Sequence, residues 1–281
     1  MTFLNIVLLA VIQGIAELLP VSSSAHVIVA EKLLGLDPTA PQMTFLLVML
    51  HTGTMFAVIG YFWNSWRERY FSSMAAFLDA AKWVVLATAL TGAIGLGLLL
   101  LIERVVLRGS GHAEVEHLFG NHYVMACGLV AAGVMIVLSG RRAAPAQPRP
   151  LAWRESAWIG AVQGLCLPFR GFSRSGSTIS TGLFLGVDRI QAEEFSFALA
   201  VVLTPPVIAR EAYRLLKAEA ASGTGSVDWL ALAGPGLLGM LCSFVAGWLA
   251  LRWLSRWLER GRWHWFGYYC LVAAVGVLAI G

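Results

Sequence analysis

Polar and ionisable side chains are concentrated at two places in a sequence that is otherwise strongly apolar. The first place holds the carboxylate of Glu17 and the imidazole of His26, and the second holds the guanidinium groups of Arg170 and Arg174. Amide and hydroxyl residues surround these charges: Gln13, Ser22, Ser23 and Ser24 in the first stretch, and Ser173, Ser175, Ser177 and Thr178 in the second. If the two stretches meet, they predict a site that binds phosphate and can also transfer protons.

The spacing of these residues has a physical reason in each stretch. Gln13 and Glu17 are four residues apart, so they share one face if the segment is a helix. The segments Ser22–His26 and Ser173–Thr178 each lead into a new apolar stretch. Hydroxyl side chains at such a position cap free backbone N–H groups, and the N-terminus of the helix attracts an anion.

Arg174 is the strongest candidate for direct contact with phosphate. Its planar guanidinium can bind two phosphate oxygens through parallel hydrogen bonds, which a lysine cannot do. Gly171 and Gly176 flank it, and glycine allows a backbone to approach a ligand closely.

Each residue also has a purely structural interpretation. Serines cap helices in any protein, Arg174 could serve only to neutralise Glu17, His26 could serve only as a hydrogen-bonded packing residue, and Arg170 could contact lipid headgroups. These residues occur together in two stretches that are related by an internal repeat of the sequence, and this joint occurrence favours a functional site.

The composition identifies the surroundings of this site as lipid. Of the 281 residues, 58% are hydrophobic and 13% charged, whereas soluble domains have roughly 45–50% apolar and about 25% charged residues. The long apolar runs are Phe45–Phe62, Val84–Ile102, Val124–Leu138, Phe195–Ile208, Leu230–Leu251 and Phe266–Ile280. Most approach or exceed the roughly 20 residues that span a bilayer. We therefore predict an all-α polytopic membrane protein with six transmembrane helices, and no role in binding nucleic acid.

An internal repeat organises these helices. The pattern Gln-Gly, Pro, Ser-rich segment, apolar stretch and Leu-Gly-x-Asp occurs once from Gln13 and again from Gln163, at an offset of 150 to 151 residues. Each copy has two short apolar stretches around a break, which predicts a re-entrant helical hairpin, at about 1–36 and 156–188. The alternative is one kinked spanning helix per copy. We predict a first repeat over 1–140, a linker over 141–155 and a second repeat over 156–281.

Three spans per repeat would invert the second repeat relative to the first. In the loops between the spans, ten basic residues then lie on one face and chiefly four on the other. The ten are Arg67, Arg69, Arg141, Arg142, Arg149, Arg154, Arg252, Arg256, Arg260 and Arg262; the four are Arg104, Arg108, Arg214 and Lys217, accompanied by Glu103, Glu114, Glu116 and Glu219. Because Lys and Arg mark the cytoplasmic side, both termini are predicted outside, with the first hairpin entering from outside and the second from the cytoplasm.

The stretches Gln13–Glu17, Leu19–His26 and Gly171–Thr178 resemble the motifs of the bacterial undecaprenyl-diphosphate phosphatases, the bacitracin-resistance family. The resemblance implies removal of the terminal phosphate of a polyprenyl diphosphate and a divalent cation, Mg²⁺ or Ca²⁺. It also implies a site in the inner membrane that is reached from the periplasm. It makes Glu17 the essential acid and a metal ligand, and Arg174 the phosphate-binding arginine. Gln13, Ser22, Ser23 and His26 match further motif positions.

Three departures from the family pattern stand out. Ala25 replaces a common glycine, Arg170-Gly171 replaces the usual Pro-Gly, and Gln13 leaves a single carboxylate in the first motif. The second departure adds a cation near the phosphates and is typical of a paralogue with an altered substrate or regulation.

The residues leave two mechanisms and a rival function open. Either Ser23 or water attacks phosphorus with His26 as base, or His26 itself attacks and forms a phosphohistidine. The rival is a transporter or flippase of prenyl phosphate lipids, since inverted repeats with broken helices are common in transporters. The oligomeric state, including a homo-oligomer, also stays open.

Overall fold

The structure, a computed structural model, describes residues 2–37, 40–106, 121–142, 145, 147–222 and 229–280. The helices of the first repeat are α1 Phe3–Leu18, α2 Ser23–Leu33, α3 Pro41–Arg69, α4 Met74–Leu101 with a π-turn over Ile102–Val106, and α5 His122–Arg141. Those of the second are α6 Trp153–Cys166, α7 Arg174–Phe184, α8 Arg189–Ser222, α9 Trp229–Glu259 and α10 His264–Ile280. The prediction of an all-α polytopic membrane protein is confirmed.

Five described helices are long and apolar enough to cross a membrane: 43–69, 74–104, 122–141, 189–213 and 233–259. α10 is apolar and has 17 residues, which is about 25 Å at a rise of 1.5 Å per residue and lies at the short end of spanning lengths. The six predicted spans therefore each have a helix. Of the charges predicted for the less basic face, Arg108, Glu114 and Glu116 and the side chains of Arg214 and Glu219 lie outside the described residues.

Both repeated segments are broken into two helices that are too short to span. α1 ends at Leu18, since Leu19 precedes a proline and takes an extended backbone. α2 then packs back against α1, and α7 packs back against α6 in the same way. This geometry agrees with the hairpin prediction and not with a single kinked helix. α6 begins at Trp153, so it takes up the last three residues of the predicted linker 141–155.

The two hairpins open toward opposite faces of the molecule. α10 connects these faces: His264 at its start lies against Gly140 near the end of α5, and its last residue accepts a hydrogen bond of 3.0 Å from Lys32 at the end of α2. The end of α7 lies instead beside the end of α5, because Arg142 donates to the carbonyl oxygen of Phe184 at 3.1 Å. Opposite openings are the geometry of an inverted repeat.

The contacts between helices are also equivalent in the two repeats. α1 packs against α9, and α6, its counterpart, packs against α4, which is the counterpart of α9. Gly14 and Gly164 occupy matching positions at these two contacts. A Cβ at Gly14 would lie 2.7 Å from the carbonyl oxygen of Ser243, and one at Gly164 would lie 2.9 Å from that of Thr91. Small residues thus let each hairpin approach the backbone of the other repeat.

Candidate active site

The tips of the two hairpins enclose a cavity of about 180 Å³ within the described part of the chain. Its walls include the predicted site residues Glu17, Ser22, Ser23, Ser24, Arg170, Ser173, Arg174 and Ser175, together with Ala16, Gln163, Cys166, Leu167, Phe169 and Phe172. The charged and hydroxyl residues of two distant stretches therefore share one cavity, as the sequence predicted from their chemistry.

Glu17 lies at the centre of the polar contacts. Its Oε1 is 3.5 Å from a terminal nitrogen of Arg174, and its Oε2 accepts hydrogen bonds from Ser23 Oγ at 2.5 Å and Gln13 Nε2 at 3.3 Å. The side chains of Glu17 and Arg174 are 20% and 22% exposed. Because their contact is longer than an ideal hydrogen bond and both groups remain accessible, a ligand in the cavity can reach either charge.

The start of α7 holds Arg174 in place. Ser173 Oγ accepts the backbone N–H of Gly176 at 3.2 Å and caps the helix. The other terminal nitrogen of Arg174 donates to the carbonyl oxygen of Ser196 at 3.4 Å. Thr178 bonds both the Arg174 carbonyl oxygen, at 2.8 Å, and the hydroxyl of Ser196, at 2.6 Å. Thr178 and Ser196 thus position Arg174 through these hydrogen bonds. No role for Ser196 was predicted from the sequence.

Two predicted site residues, Gly171 and Gly176, contact protein rather than the cavity. Gly171 has φ +97°, and a Cβ there would lie 2.1 Å from the carbonyl oxygen of Met125. A Cβ at Gly176 would meet Ile136 at 2.8 Å. These glycines allow α5 to pack closely on the second hairpin, and the expectation that they admit a ligand stays a prediction. Ser177 is fully buried and also lies outside the cavity wall.

His26 is turned away from the cavity wall. Its Nδ1 lies 2.8 Å from the carbonyl oxygen of Ser22, and its Nε2 lies 2.7 Å from the hydroxyl of Tyr269. Since a carbonyl oxygen only accepts, Nδ1 carries the proton and Nε2 accepts from the tyrosine. Ser22 has φ +68°, which is strained for a residue with a side chain. The histidine therefore stabilises the bend of the first hairpin, and its tyrosine partner could not have been read from the sequence.

Arg170 lies in the cavity wall. Its positive charge acts on the carboxyl group of Glu31, in α2 of the other hairpin. Glu31 is 4% exposed, and sequence reasoning overlooked it although it is a carboxylate within an apolar half-helix. The charges of Arg170 and Glu31 therefore interact across the two hairpins.

Gln163 is another cavity residue that sequence reasoning did not place in the site. It is fully buried, and its Nε2 donates to Thr91 Oγ1 at 3.0 Å. The repeat carried the signal that could have found it, because Gln163 is the counterpart of Gln13.

A separate polar cluster holds α3, α8 and α9 together near the basic face. Glu194 accepts a hydrogen bond from Ser65 and pairs with Arg69 at 3.0 Å. The adjacent Glu193 accepts from Ser255 at 2.6 Å. Both carboxylates are buried, and the pair with Arg69 makes the charge of Glu194 tolerable inside a membrane.

The described residues contain no group of three or more His, Cys, Asp or Glu side chains arranged to hold a metal ion. Within these residues, a cation near Glu17 would therefore need ligands beyond such side chains. The four cysteines are free and dispersed.

Comparison with known proteins decides the family. The family model described as bacitracin resistance protein BacA matches residues 6–276. The chain belongs to the BacA family. It is 58% identical to "Undecaprenyl-diphosphatase 2" of Acinetobacter baylyi over 100% of this chain and 98% of that protein. It is 34% identical to "Undecaprenyl-diphosphatase" of Desulfosudis oleivorans over 98% of this chain and 97% of that protein. BacA membership confirms the resemblance that the hairpin motifs carried, and extends it over nearly the whole sequence.

Proposed function

We propose that this chain is an undecaprenyl-diphosphate phosphatase. It removes the terminal phosphate of undecaprenyl diphosphate, which recycles the lipid carrier for peptidoglycan synthesis and confers resistance to bacitracin. The observation that carries the proposal is the contact of Glu17 and Arg174 across the two hairpins, in a cavity lined by hydroxyl groups. The names of the BacA relatives support the same activity.

The diphosphate binds at the start of α7. Arg174 attracts the phosphate oxygens, and Ser173 and Ser175 lie beside it in the cavity wall. The free N–H groups of a helix N-terminus add donors and a favourable dipole. Arg170 contributes a second positive charge, which suits a ligand with two phosphates. These donors also stabilise the charge that develops on the oxygens during reaction.

Ser23 is the nucleophile that the geometry supports best. Its hydroxyl donates to Glu17 at 2.5 Å, so the carboxylate can take the proton as the serine oxygen attacks the terminal phosphorus. The new Ser23–phosphorus bond forms as the bond to the bridging oxygen breaks, and undecaprenyl monophosphate leaves. Water then hydrolyses the phosphoserine and releases inorganic phosphate. His26 is less suited to attack, since both of its ring nitrogens are hydrogen-bonded elsewhere.

A divalent cation, Mg²⁺ or Ca²⁺, fits this site if the substrate supplies part of its coordination. Mg²⁺ is commonly bound by one or two carboxylates together with substrate phosphates, and Glu17 is the carboxylate in the cavity wall. Glu17 would hold the ion, which when bound neutralises charge on the phosphates.

The chain lies in the bacterial inner membrane with both termini outside and the site open to the periplasm. The distribution of Lys and Arg supports this orientation: basic residues lie at the ends of α3, α5 and α9, among them Arg69, Arg141 and Arg256. The opposite openings of the two hairpins agree with it. Partners are the prenyl diphosphate and membrane lipid.

One assay separates this function from a transporter or flippase. Purified protein with undecaprenyl diphosphate and Mg²⁺ in detergent micelles should release inorganic phosphate, and Ser23→Ala and Glu17→Gln should abolish the release without loss of folded protein. Glu68→Gln, at an exposed position, is the matched control and should keep full activity. Phosphate labelled at the terminal position should be trapped on Ser23. Movement of the lipid across liposomes without phosphate release would favour the transporter.

A further inference from the structure

Gln163 and Gln13 are counterparts in the two repeats, but their amide groups are used differently. The amide nitrogen of Gln13 donates to Glu17 at 3.3 Å, inside the site. That of Gln163 donates at 3.0 Å to Thr91 on α4. The Gln163 carbonyl oxygen has no hydrogen-bond partner among the described residues, although Gln163 is fully buried and forms part of the cavity wall.

The hydrogen bonds of Thr91 fix which end of the Gln163 amide faces α4. Thr91 Oγ1 lies 2.8 Å from the carbonyl oxygen of Ala87 and 2.9 Å from that of Gly160. Both carbonyls only accept, so the single hydroxyl proton is donated to one of them. Toward Gln163 the hydroxyl can therefore only accept, and the group facing it is the NH₂. The hydrogen bonds of Thr91 therefore orient the Gln163 amide with its NH₂ group toward Thr91, and its carbonyl oxygen is left without a partner among the described residues.

The chemistry of that oxygen restricts what it can bind. A buried acceptor without a donor is unfavourable, so a ligand of the cavity is expected to satisfy it. Phosphate oxygens that carry no proton cannot, since they are acceptors themselves. A divalent cation can, because amide carbonyl oxygens are ligands for Mg²⁺ and Ca²⁺. Among the described residues, the cavity wall includes one carboxylate, Glu17, which leaves such an ion short of protein ligands.

We infer that the carbonyl oxygen of Gln163 is a second protein ligand, with Glu17, of the divalent cation that binds together with the diphosphate. The inference rests on the proposed function and refines it: one ligand comes from the first helix of each hairpin. Thr91 is then a positioning residue, which holds the amide so that its oxygen faces the cavity.

Binding of Mn²⁺ measured by electron paramagnetic resonance tests this without any turnover. The purified full chain in detergent is titrated with Mn²⁺ alone and again with methylene diphosphonate, which stands in for the headgroup and is not hydrolysed. Gln163→Met removes the oxygen and keeps the length of the side chain. It should weaken Mn²⁺ binding tenfold or more, whereas Gln191→Met, outside the cavity wall, should leave binding unchanged. Thr91→Val should weaken it by a smaller factor.

Gln163→Glu is the control for loss of Mn²⁺ binding through misfolding. It places a carboxylate where the carbonyl is, so it should bind Mn²⁺ more tightly than the original chain, which a folding defect cannot produce. Equal or weaker binding in Gln163→Glu overturns the inference, as does unchanged binding in a folded Gln163→Met, or a wild-type chain that binds no Mn²⁺ in either titration. If the wild-type chain releases phosphate but Gln163→Met binds Mn²⁺ normally, this inference fails alone. If the Mn²⁺ results hold without phosphate release, the phosphatase proposal fails alone.

Discussion

Glu17 and Arg174 lie 3.5 Å apart although 157 positions separate them in the sequence. Each belongs to the hairpin of a different repeat, so the ion pair forms only when the two hairpins meet. The pair is partly exposed to the cavity, which keeps both charges available to a ligand. A contact of this kind makes the site depend on the symmetry of the fold.

Arg174→Lys should lower phosphatase activity roughly 10²- to 10³-fold, the usual effect of losing one preorganised donor to the transition state. Lysine keeps the positive charge but cannot bind two oxygens in parallel or reach Ser196 in the same way. Phosphate release from undecaprenyl diphosphate measures the effect. Arg67→Lys, at an exposed position, is the control, and a drop of less than threefold in Arg174→Lys would contradict the proposed contact.

Tyr269→Phe should lower stability by about 1 kcal/mol, the net worth of a typical hydrogen bond, and leave kcat within a few-fold of the original. The change frees Nε2 of His26 without touching the histidine. Thermal melting and phosphate release measure the two effects. A large loss of kcat, or labelled phosphate trapped on His26, would restore the mechanism in which the histidine attacks.

Arg170→Gln should raise KM for the lipid about tenfold, equivalent to about 1.4 kcal/mol, with a smaller change in kcat. The substitution removes a positive charge from the cavity wall. Glu31→Gln tests whether the buried carboxylate positions that charge, and it should shift KM in the same direction but less. The two substitutions together should then be less than additive. Strictly additive effects would show that Arg170 and Glu31 act independently on KM.

Gly171→Ala should destabilise the chain severely. The left-handed backbone at φ +97° alone costs a residue with a side chain about 1–2 kcal/mol, and the new Cβ would collide with the Met125 carbonyl oxygen. Gly97→Ala is the control, because a Cβ there meets no atom within 4 Å. Thermal melting in detergent should show a lower midpoint for Gly171→Ala and an equal or higher one for Gly97→Ala. Equal midpoints would argue against the close packing of α5.

Labelling of single cysteines tests the orientation. In a chain whose native cysteines are replaced by alanine, Lys32→Cys should react with a membrane-impermeant maleimide in intact spheroplasts. Arg256→Cys, near the end of α9, should react only after permeabilisation. Both residues are exposed, so accessibility reports the side of the membrane. The reverse pattern would invert the proposed topology.

Several features could be predicted from residues alone because they depend on local or summed properties. The apolar composition required lipid contact, and the paired motifs at an offset of 150 residues required two similar units. The break after Leu18 follows from Pro20, which the chain carries at that position. The chemistry of the site followed from residue types, since a carboxylate, guanidinium groups and hydroxyls have few uses together inside a bilayer.

The direction of each polar side chain depended on helices that are distant in sequence. His26 is turned toward Tyr269, 243 residues away, and Gln163 toward Thr91, 72 residues away. The charge of Arg170 acts on Glu31 of the other hairpin, and Gly171 and Gly176 pack against α5. Sequence determined which groups enter the membrane and why they must cluster. Tertiary structure decided which of them face the cavity, because a polar group buried in a bilayer turns toward whichever neighbour satisfies its hydrogen bonds.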